Sequence, residues 1–368
     1  MAVSLDQIST PGRVAEPGEG ISVDELRLAS RNHAMPLEAM RDDLTPPGLH
    51  YVLTHYDMPA VDPGSWRLTL DGAVERPLDL DLAALRSLPS RTVRVTLECA
   101  GNGRTGLTPR PVSQPWLTGA VGTAEWTGVP LAGLLRDAGP SPAAVDVVFA
   151  GADHGFERGV EQDYQRGLPL AEALGDDVLL AYAMNGEPLP LQHGRPLRLV
   201  VPGWYGMAHV KWLRSVTVIT HEFDGFQNAV AYRFRQSAEE PGEPVTRIEP
   251  RALLVPPGHP DFMTRERILR PGPVTLSGRA WSGWGPVVRV ELSTDDGRTW
   301  ADTELTGESH RWAWRGFSAP FEATPGRHVL RVRAHDATGR VQRQEPQWNR
   351  GGFANNADEP VTVHVLDA

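Results

Sequence analysis

Alternating apolar and polar residues predict short β-strands in the first part of the chain. Residues 66–70 and 92–97 both follow the period of two that is typical of half-buried strands. Helical spacing is confined to three short stretches, at residues 23–29, 131–138 and 169–174. This mixture of short strands and short helices predicts a mixed α/β domain over residues 51–236.

After residue 260 the pattern changes to strands alone. Apolar residues alternate with polar ones at residues 288–292, 330–334 and 361–365. An Asp-Asp-Gly sequence at residues 295–297 predicts a hairpin turn. Short strands separated by turn signals predict a β-sandwich over residues 261–368, so the fold class is α+β.

Two other segments lack a regular pattern. Residues 1–50 are rich in proline, glycine and charge, and we expect them to form an N-terminal arm. Residues 237–260 are rich in proline and contain few apolar residues, which predicts a linker between the two domains.

Charge and hydropathy exclude two classes of partner. The 368 residues include 36 basic and 46 acidic side chains, a net charge of −10, so we expect no nucleic-acid partner. No apolar run approaches the ~20 residues of a membrane span, so we expect no membrane partner. The first residues carry no basic or apolar export signal, which predicts a cytoplasmic protein, or a periplasmic one if a signal was removed.

Two residue types occur only once. Cys99 is the single cysteine, which excludes intrachain disulfides, iron–sulfur clusters held by four cysteines and haem attached through a CxxCH motif. Lys211 is the single lysine among the 36 basic residues. So strong a preference for arginine suggests a GC-rich bacterial genome, in which a remaining lysine is a candidate for a chemical role.

One glycine motif has the form of a nucleotide-binding sequence. Residues 101–106 read GNGRTG and follow a predicted strand, as a dinucleotide-binding loop does. That mechanism requires a helix to begin at the loop, and Pro109, Pro111 and Pro115 prevent one. We therefore expect neither NAD nor flavin.

Two clusters are candidates for chemistry. Cys99 ends a predicted strand and enters a glycine loop next to Arg104. Its side chain is either a packed apolar group or a thiolate whose pKa a nearby cation lowers. The second cluster contains His193 and Arg198, and then His209 and Lys211, two apart on a predicted strand and therefore on one face. So many cations in an acidic protein indicate a site for an anion such as a phosphate.

These residues lie in motifs that occur in a recognisable order. The motifs are ECAGNGR (98–104), WLTGA (116–120), AYAMNGEPLPLQHGRPLRLVVPG (181–203), HVKWLRSVTV (209–218), RAWSGWGPVVRVELSTDDGRTW (279–300), RWAWRGF (311–317) and PQWNRGGFANN (346–356). From about Tyr51 to the C-terminus the chain resembles the sulfite oxidase family of molybdopterin enzymes. The resemblance implies a molybdopterin-binding domain followed by an Ig-like dimerisation domain.

The resemblance also implies a cofactor, a reaction and site residues. It implies one molybdenum–molybdopterin per chain, ligated by the Cys99 thiolate, and oxidation of sulfite to sulfate by oxo transfer, with electrons passed to an external acceptor such as a cytochrome. Arg104, Trp116 and Arg315 match substrate-pocket residues. The residues that match cofactor-binding positions are Tyr51, Val52, Leu53, Thr54, His55, Cys99, Asp153, His193, Arg198, His209, Val210 and Lys211.

Two positions depart from the family pattern. Leu53 stands where the family has an arginine that contacts sulfite, and Phe223 aligns with a pocket tyrosine, although Tyr232 is close enough in sequence to take that place. Loss of one charge-assisted contact weakens anion binding roughly ten- to hundredfold. A different substrate, such as the sulfane sulfur of the SoxC branch or an oxo compound to be reduced, therefore remains an alternative.

A different class of function rests on the C-terminal tryptophans. Trp281, Trp284, Trp300, Trp312, Trp314 and Trp348 could form an exposed platform of a binding protein without enzyme activity, or could pack in a core or interface. Their density and the family resemblance together predict a homodimer formed through the C-terminal domain.

Overall fold

The computed structural model describes residues 4–5 and 8–367, and its first part is built from short elements. Three helices and a one-turn helix lie there: α1 Val23–Arg31, α2 Leu82–Ser87, α3 Leu131–Ala138 and α4 Leu170–Ala173. The strands are β1 Arg13–Val14, β2 Arg67–Gly72, β3 Leu78–Asp81, β4 Arg91–Glu98, β5 Pro111–Val112, β6 Val121–Pro130, β7 Asp146–Glu157, β8 Val160–Pro169, β9 Leu179–Met184, β10 Glu187–Pro188, β11 Arg198–Val200 and β12 Leu213–Ile219. The predicted helices at residues 131–138 and 169–174 are thus confirmed to within two residues.

The remaining elements are strands and short 3-10 or π turns. The strands are β13 Arg233–Phe234, β14 Glu243–Pro244, β15 Arg251–Leu254, β16 His259–Pro260, β17 Arg267–Leu269, β18 Gly272–Trp281, β19 Val287–Ser293, β20 Ala301–Asp302, β21 Glu304–Thr306, β22 Arg315–Ala323, β23 Gly326–Asp336 and β24 Val361–Val365. The 3-10 turns are Leu37–Arg41, Arg104–Gly106, Leu191–His193 and Gly206–Ala208, and Gln227–Ala231 is a π turn.

Two five-stranded sheets form the first domain. One has the order β10-β9-β6-β4, with β11 also paired to β9, and the other has the order β3-β2-β12-β7-β8. Apolar side chains of both sheets and of α3 pack into one buried core, including Leu70, Leu135, Phe149 and Leu199. Within the described residues, no helix is long and apolar enough to cross a membrane.

The second domain is a two-layer β-sandwich, as the strand pattern predicts. A four-stranded sheet, β15-β18-β22-β21, faces a six-stranded sheet, β16-β17-β24-β23-β19-β20, across a core that includes Leu276, Phe317 and Val332. The structure differs from the expected linker over residues 237–260. Its apolar stretch forms strand β15, which pairs with β18, so the sandwich begins earlier than the proline content suggested.

The N-terminal arm is packed onto the first domain. Strand β1 pairs with β5, and α1 begins with a capping box in which Ser22 and Glu25 bond each other's backbone N–H groups. Glu25 is 1% exposed and pairs with Arg110, in the loop that follows the Cys99 motif. The arm therefore contributes a buried ion pair beside that loop.

A buried ion pair joins the two domains directly beside Cys99. Glu98 Oε1 lies 3.1 Å from Arg251 Nη1 of β15, and both side chains are 2% exposed. Trp281 Nε1 of β18 donates to Glu98 Oε2 at 2.8 Å, and Asn102 Nδ2 donates to Glu98 Oε1 at 2.9 Å. All these partners are needed because an unpaired carboxylate at this depth would be strongly destabilising.

The six C-terminal tryptophans are buried or half-buried, which removes the predicted binding platform. Each indole N–H donates a hydrogen bond, and four of the acceptors lie in the first domain or its arm: Glu98 for Trp281, Asp177 for Trp312, the Asp43 carbonyl for Trp314 and the Pro109 carbonyl for Trp348. The tryptophans therefore fix the sandwich to the first domain.

We expect Glu98→Gln to destabilise the protein by about 3–5 kcal/mol, because Arg251 would remain buried without its carboxylate partner. Asp79→Asn is the matched control, since Asp79 pairs with Arg67 at 2.8 Å on the surface and should contribute less than about 1 kcal/mol. Thermal unfolding midpoints measure both. Equal midpoints for the two variants would contradict this account of the interface.

Candidate active site

A pocket lies in the first domain and is lined by the segment that precedes β2. Tyr51, Val52, Leu53 and His55 face it, as predicted. The segment is held from the arm side, because Thr54 N donates to Asn32 Oδ1 at 2.8 Å and His33 forms an isolated bridge with Val52. Its position is therefore set by the arm.

Cys99 lies in the pocket wall at the end of β4, with 6% of its surface exposed. Its N–H donates to the Ala120 carbonyl at 2.9 Å, and its own carbonyl accepts from Asn102 N at 3.0 Å. Burial raises the pKa of the Cys99 thiol, while the charge of Arg104 and the Gly101 N–H lower it. The loop thus holds a thiol beside a cation, the arrangement of a ligand or a nucleophile.

Arg104 is buried and held by two carbonyls from different parts of the chain. Its Nε donates to Gly351 O at 3.0 Å and its Nη1 to Gln114 O at 2.9 Å. A Cβ at position 101 would lie 2.4 Å from Arg104 Nη2, so the guanidinium folds back over Gly101. Position 101 therefore requires glycine because the Arg104 guanidinium lies against its backbone, and not because a nucleotide binds there.

The predicted anion cluster is assembled, but on a different local structure. Arg198 of β11 donates to the carbonyls of His193 at 3.1 Å and His209 at 3.3 Å. The expected strand through His209 and Lys211 is wrong: residues 205–212 are a 3-10 turn and irregular chain. His209 Nδ1 accepts from Val201 N at 3.0 Å, and its Nε2 donates to Trp204 O at 3.0 Å, so the ring itself folds the segment back.

Burial lowers the pKa values of the cationic groups around this pocket. It lowers the pKa of His50 to about 4, of His193 to about 2, of His209 to about 3 and of Lys211 to about 7. Burial also raises the pKa of Asp153 to about 6, against the attraction of Lys211. The three imidazoles are therefore neutral at pH 7, and the positive charge of the lining comes from Arg198 and, in part, from Lys211.

Lys211 ties three segments together. Its Nζ donates to Leu53 O at 2.9 Å and to Gln192 O at 3.2 Å, and lies 3.5 Å from Thr54 Oγ1. The single lysine therefore links its own segment to the segment that carries Leu53 and to the turn that carries Gln192.

Of Tyr232 and Phe223, it is Tyr232 that lies in the pocket, beside Tyr51 and Tyr164. Tyr232 lines it, and the phenol oxygen lies 2.8 Å from His55 Nε2. Phe223 lies instead against Gly167 on β8, where a Cβ would come within 2.5 Å of the Phe223 Cβ. The π turn at Gln227–Ala231 precedes Tyr232 and adds residues before it, which an alignment by eye does not anticipate.

Five predicted site residues are not among the residues that line the pocket: Thr54, Arg104, Trp116, Val210 and Arg315. Trp116 is buried in the apolar cluster that contains Cys99. Arg315 lies in β22 opposite Ala280, and Val210 is fully buried in the core of the first domain. Neither of these two lines the pocket, and their roles at the substrate and the cofactor stay predictions.

Several lining residues were not predicted from the sequence. They are His50, Leu97, Tyr164, Gln192, Gly206, Met207 and, as only a possible alternative to Phe223, Tyr232. His50 directly precedes the predicted segment that begins at Tyr51, so this adjacency in sequence could have identified it. The others lie on strands or turns whose approach to the pocket depends on tertiary packing.

The lining fits a molybdopterin. Such a cofactor carries a phosphate, which suits Arg198 and Lys211, and ring N–H groups, which suit an acceptor. Among the described residues, Arg198 Nε, His50 Nε2 and Asp153 Oδ1 are buried without a hydrogen-bond partner. The Cys99 thiolate would supply the soft ligand that molybdenum favours.

Comparison with known proteins agrees with this chemistry. Residues 55–227 match the family model described as an oxidoreductase molybdopterin binding domain, and residues 244–365 match the Mo-co oxidoreductase dimerisation domain. The two matches follow the two domains of the structure.

Related proteins cover nearly the whole chain. Sulfite oxidase of Gallus gallus is 37% identical over 85% of this chain and 72% of its own length, and mitochondrial sulfite oxidase of Homo sapiens is 34% identical over 91% of this chain and 64% of its own length. The sulfane dehydrogenase SoxCD of Paracoccus pantotrophus superposes over 100% of this chain and 98% of the matched chain, with a TM-score of 0.79 and 25% identity. The chain therefore belongs to the sulfite oxidase family of molybdopterin oxidoreductases.

Proposed function

We propose that the protein oxidises sulfite to sulfate with a molybdenum cofactor bound in this pocket. The observation that carries the proposal is that its single cysteine lies in the wall of a cationic pocket, next to the buried guanidinium of Arg104. When bound, the cofactor supplies the oxygen transfer and accepts the two electrons. One water is consumed, and two protons and two electrons are released for each sulfite.

The chain's residues have separate tasks in this reaction. Arg198 and Lys211 would hold the phosphate of the cofactor, while Asp153 would accept hydrogen bonds from its ring. Arg104 and Tyr232 lie on the side of Cys99 that faces the second domain. A positive group and a hydroxyl donor there bind and orient a doubly charged oxyanion and stabilise the charge that develops on it.

A second substrate class is sulfane sulfur. Leu53 leaves the pocket without the arginine that the family resemblance implies, and the fold superposes on SoxCD over its full length. A persulfide carries one negative charge where sulfite carries two, and would need fewer cations. Thiosulfate and persulfide substrates, assayed beside sulfite, distinguish the two.

We propose further that two chains associate through the dimerisation domain and that electrons leave to an external acceptor such as a cytochrome. The matched residues 244–365 support the dimer. Light scattering at micromolar concentration tests it, and a monomeric mass would overturn it. Molybdenum is the expected metal, and metal analysis that found stoichiometric iron would contradict the expectation that haem and iron–sulfur clusters are absent.

Protein with about one molybdenum per chain should reduce an artificial acceptor when sulfite is added. Cys99→Ser should lower this rate more than about a hundredfold, because it removes a direct metal ligand, which matters more than the supporting residues around it. Val288→Ala, on the exposed face of the sandwich, is the control and should keep full activity. Loaded protein that oxidises thiosulfate or persulfide but not sulfite would overturn the proposed substrate.

The Cys99 thiol in protein prepared without cofactor should react slowly with iodoacetamide at pH 7. Its pKa is raised, so the thiolate forms only above the usual thiol range and the rate should rise as pH increases. Arg104→Met should shift this rise to higher pH, since Arg104 lowers the pKa, and should slow alkylation at pH 8 several-fold. An unchanged profile in Arg104→Met would show that the two groups are not coupled.

A further inference from the structure

Arg166 is a buried cation that the proposed reaction does not use. It lies on β8, is 3% exposed, and donates from Nη1 to the Gln227 carbonyl at 2.5 Å. Among the described residues its Nε has no hydrogen-bond partner, and the titratable groups that act on its charge are Tyr164 and Tyr232, with no carboxylate among them. Its charge is therefore solvated by one carbonyl and by aromatic rings.

The aromatic ring beside Arg166 is that of the pocket tyrosine. The Arg166 guanidinium carbon lies 5.6 Å from the centre of the Tyr232 ring, and Tyr232 stacks on Phe353 of the second domain at 5.1 Å. The Arg104 guanidinium carbon lies 5.6 Å from the centre of the Phe353 ring. Two buried guanidinium groups thus hold a pair of stacked rings between them, and the phenol oxygen of one ring contacts His55.

A buried cation without a counter-charge is costly unless a ligand supplies the charge. Arginine keeps its proton in proteins, so Arg166 cannot escape this cost by deprotonation, although burial lowers its pKa. Its charge also acts on His55 and Tyr164, two further residues of the pocket lining. The missing negative charge therefore belongs on the pocket side of Tyr232.

We propose that Arg166 determines substrate specificity by selecting doubly charged oxyanions at Tyr232. It does so through its contact with the Tyr232 ring, both by adding positive potential and by holding the ring in place. It thereby supplies positive charge that this chain lacks at Leu53. The identity of the oxyanion as sulfite rests on the proposed function, but the preference for two charges does not.

The test compares Arg166→Met with Arg166→Lys in molybdenum-loaded protein. We expect Arg166→Met to raise the KM for sulfite and the inhibition constant of sulfate about ten- to hundredfold, with kcat within about threefold. Inhibition by nitrate, which has one charge, should change less than about threefold. Arg166→Lys should recover part of the sulfate affinity, because it restores the charge.

Arg267→Met is the matched control. Arg267 is also a buried arginine that donates to backbone carbonyls, but it lies in the sandwich, and its loss should lower the melting temperature without changing sulfate affinity. If Arg166→Met does not fold, Arg166→Gln removes the charge and keeps a donor for the Gln227 carbonyl, with the same expected result.

Equal effects on sulfate and nitrate would overturn the proposal, and so would a fall in kcat with unchanged KM and inhibition constants. If the wild-type protein does not oxidise sulfite, calorimetric binding of sulfate to the loaded protein decides the question on its own. Weaker sulfate binding in the charge-removing variant would then support Arg166 while the proposed substrate fails. Unchanged binding would overturn the role of Arg166.

Discussion

The Glu98–Arg251 ion pair is the interaction on which the rest of the site depends. Glu98 is adjacent to Cys99 in the chain, and its carboxylate is held by Arg251 and Trp281 of the second domain and by Asn102 of the loop itself. Because both charges are buried, neither can move without large cost. The sandwich therefore helps to position the thiol, in addition to its expected part in association.

The electrostatics of the pocket follow from the same packing. Cations line it from β11 and from the irregular segment at Lys211, the charge of Arg104 acts on the Cys99 thiol in its wall, and Asp153 is the single carboxylate among the described lining residues. Burial lowers the pKa values of His209 and of Lys211, and repulsion by the charge of Arg198 lowers them further. A phosphate-bearing cofactor and an anionic substrate would both relieve this repulsion, which is why one pocket suits both.

The sequence could predict those features that depend on residues close together in the chain. The Cys99 loop, the segment at Tyr51 and the cations Arg198 and Lys211 lie in contiguous motifs, and the period of two identifies the sandwich strands. Features set by long-range packing could not be read in this way. Tyr232 lines the pocket directly after a π turn, and the local sequence pattern does not predict that turn.

Two other differences have equally specific causes. His209 bonds the backbone of its own segment through both ring nitrogens, so the residues around it turn back instead of extending as a strand. Arg315 follows Trp314, whose indole is fixed to the Asp43 carbonyl, and pairing with β18 places Arg315 away from the pocket. Both outcomes depend on partners that are distant in sequence or unpredictable from periodicity.

X-ray absorption at the molybdenum edge tests the central claim most directly, because it counts the sulfur atoms bound to the metal. Wild-type protein should contain molybdenum, and Cys99→Ser protein that still binds the cofactor should show one sulfur neighbour fewer. An identical sulfur count in the two proteins, or cofactor-competent wild-type protein without molybdenum, would contradict the assignment of this pocket.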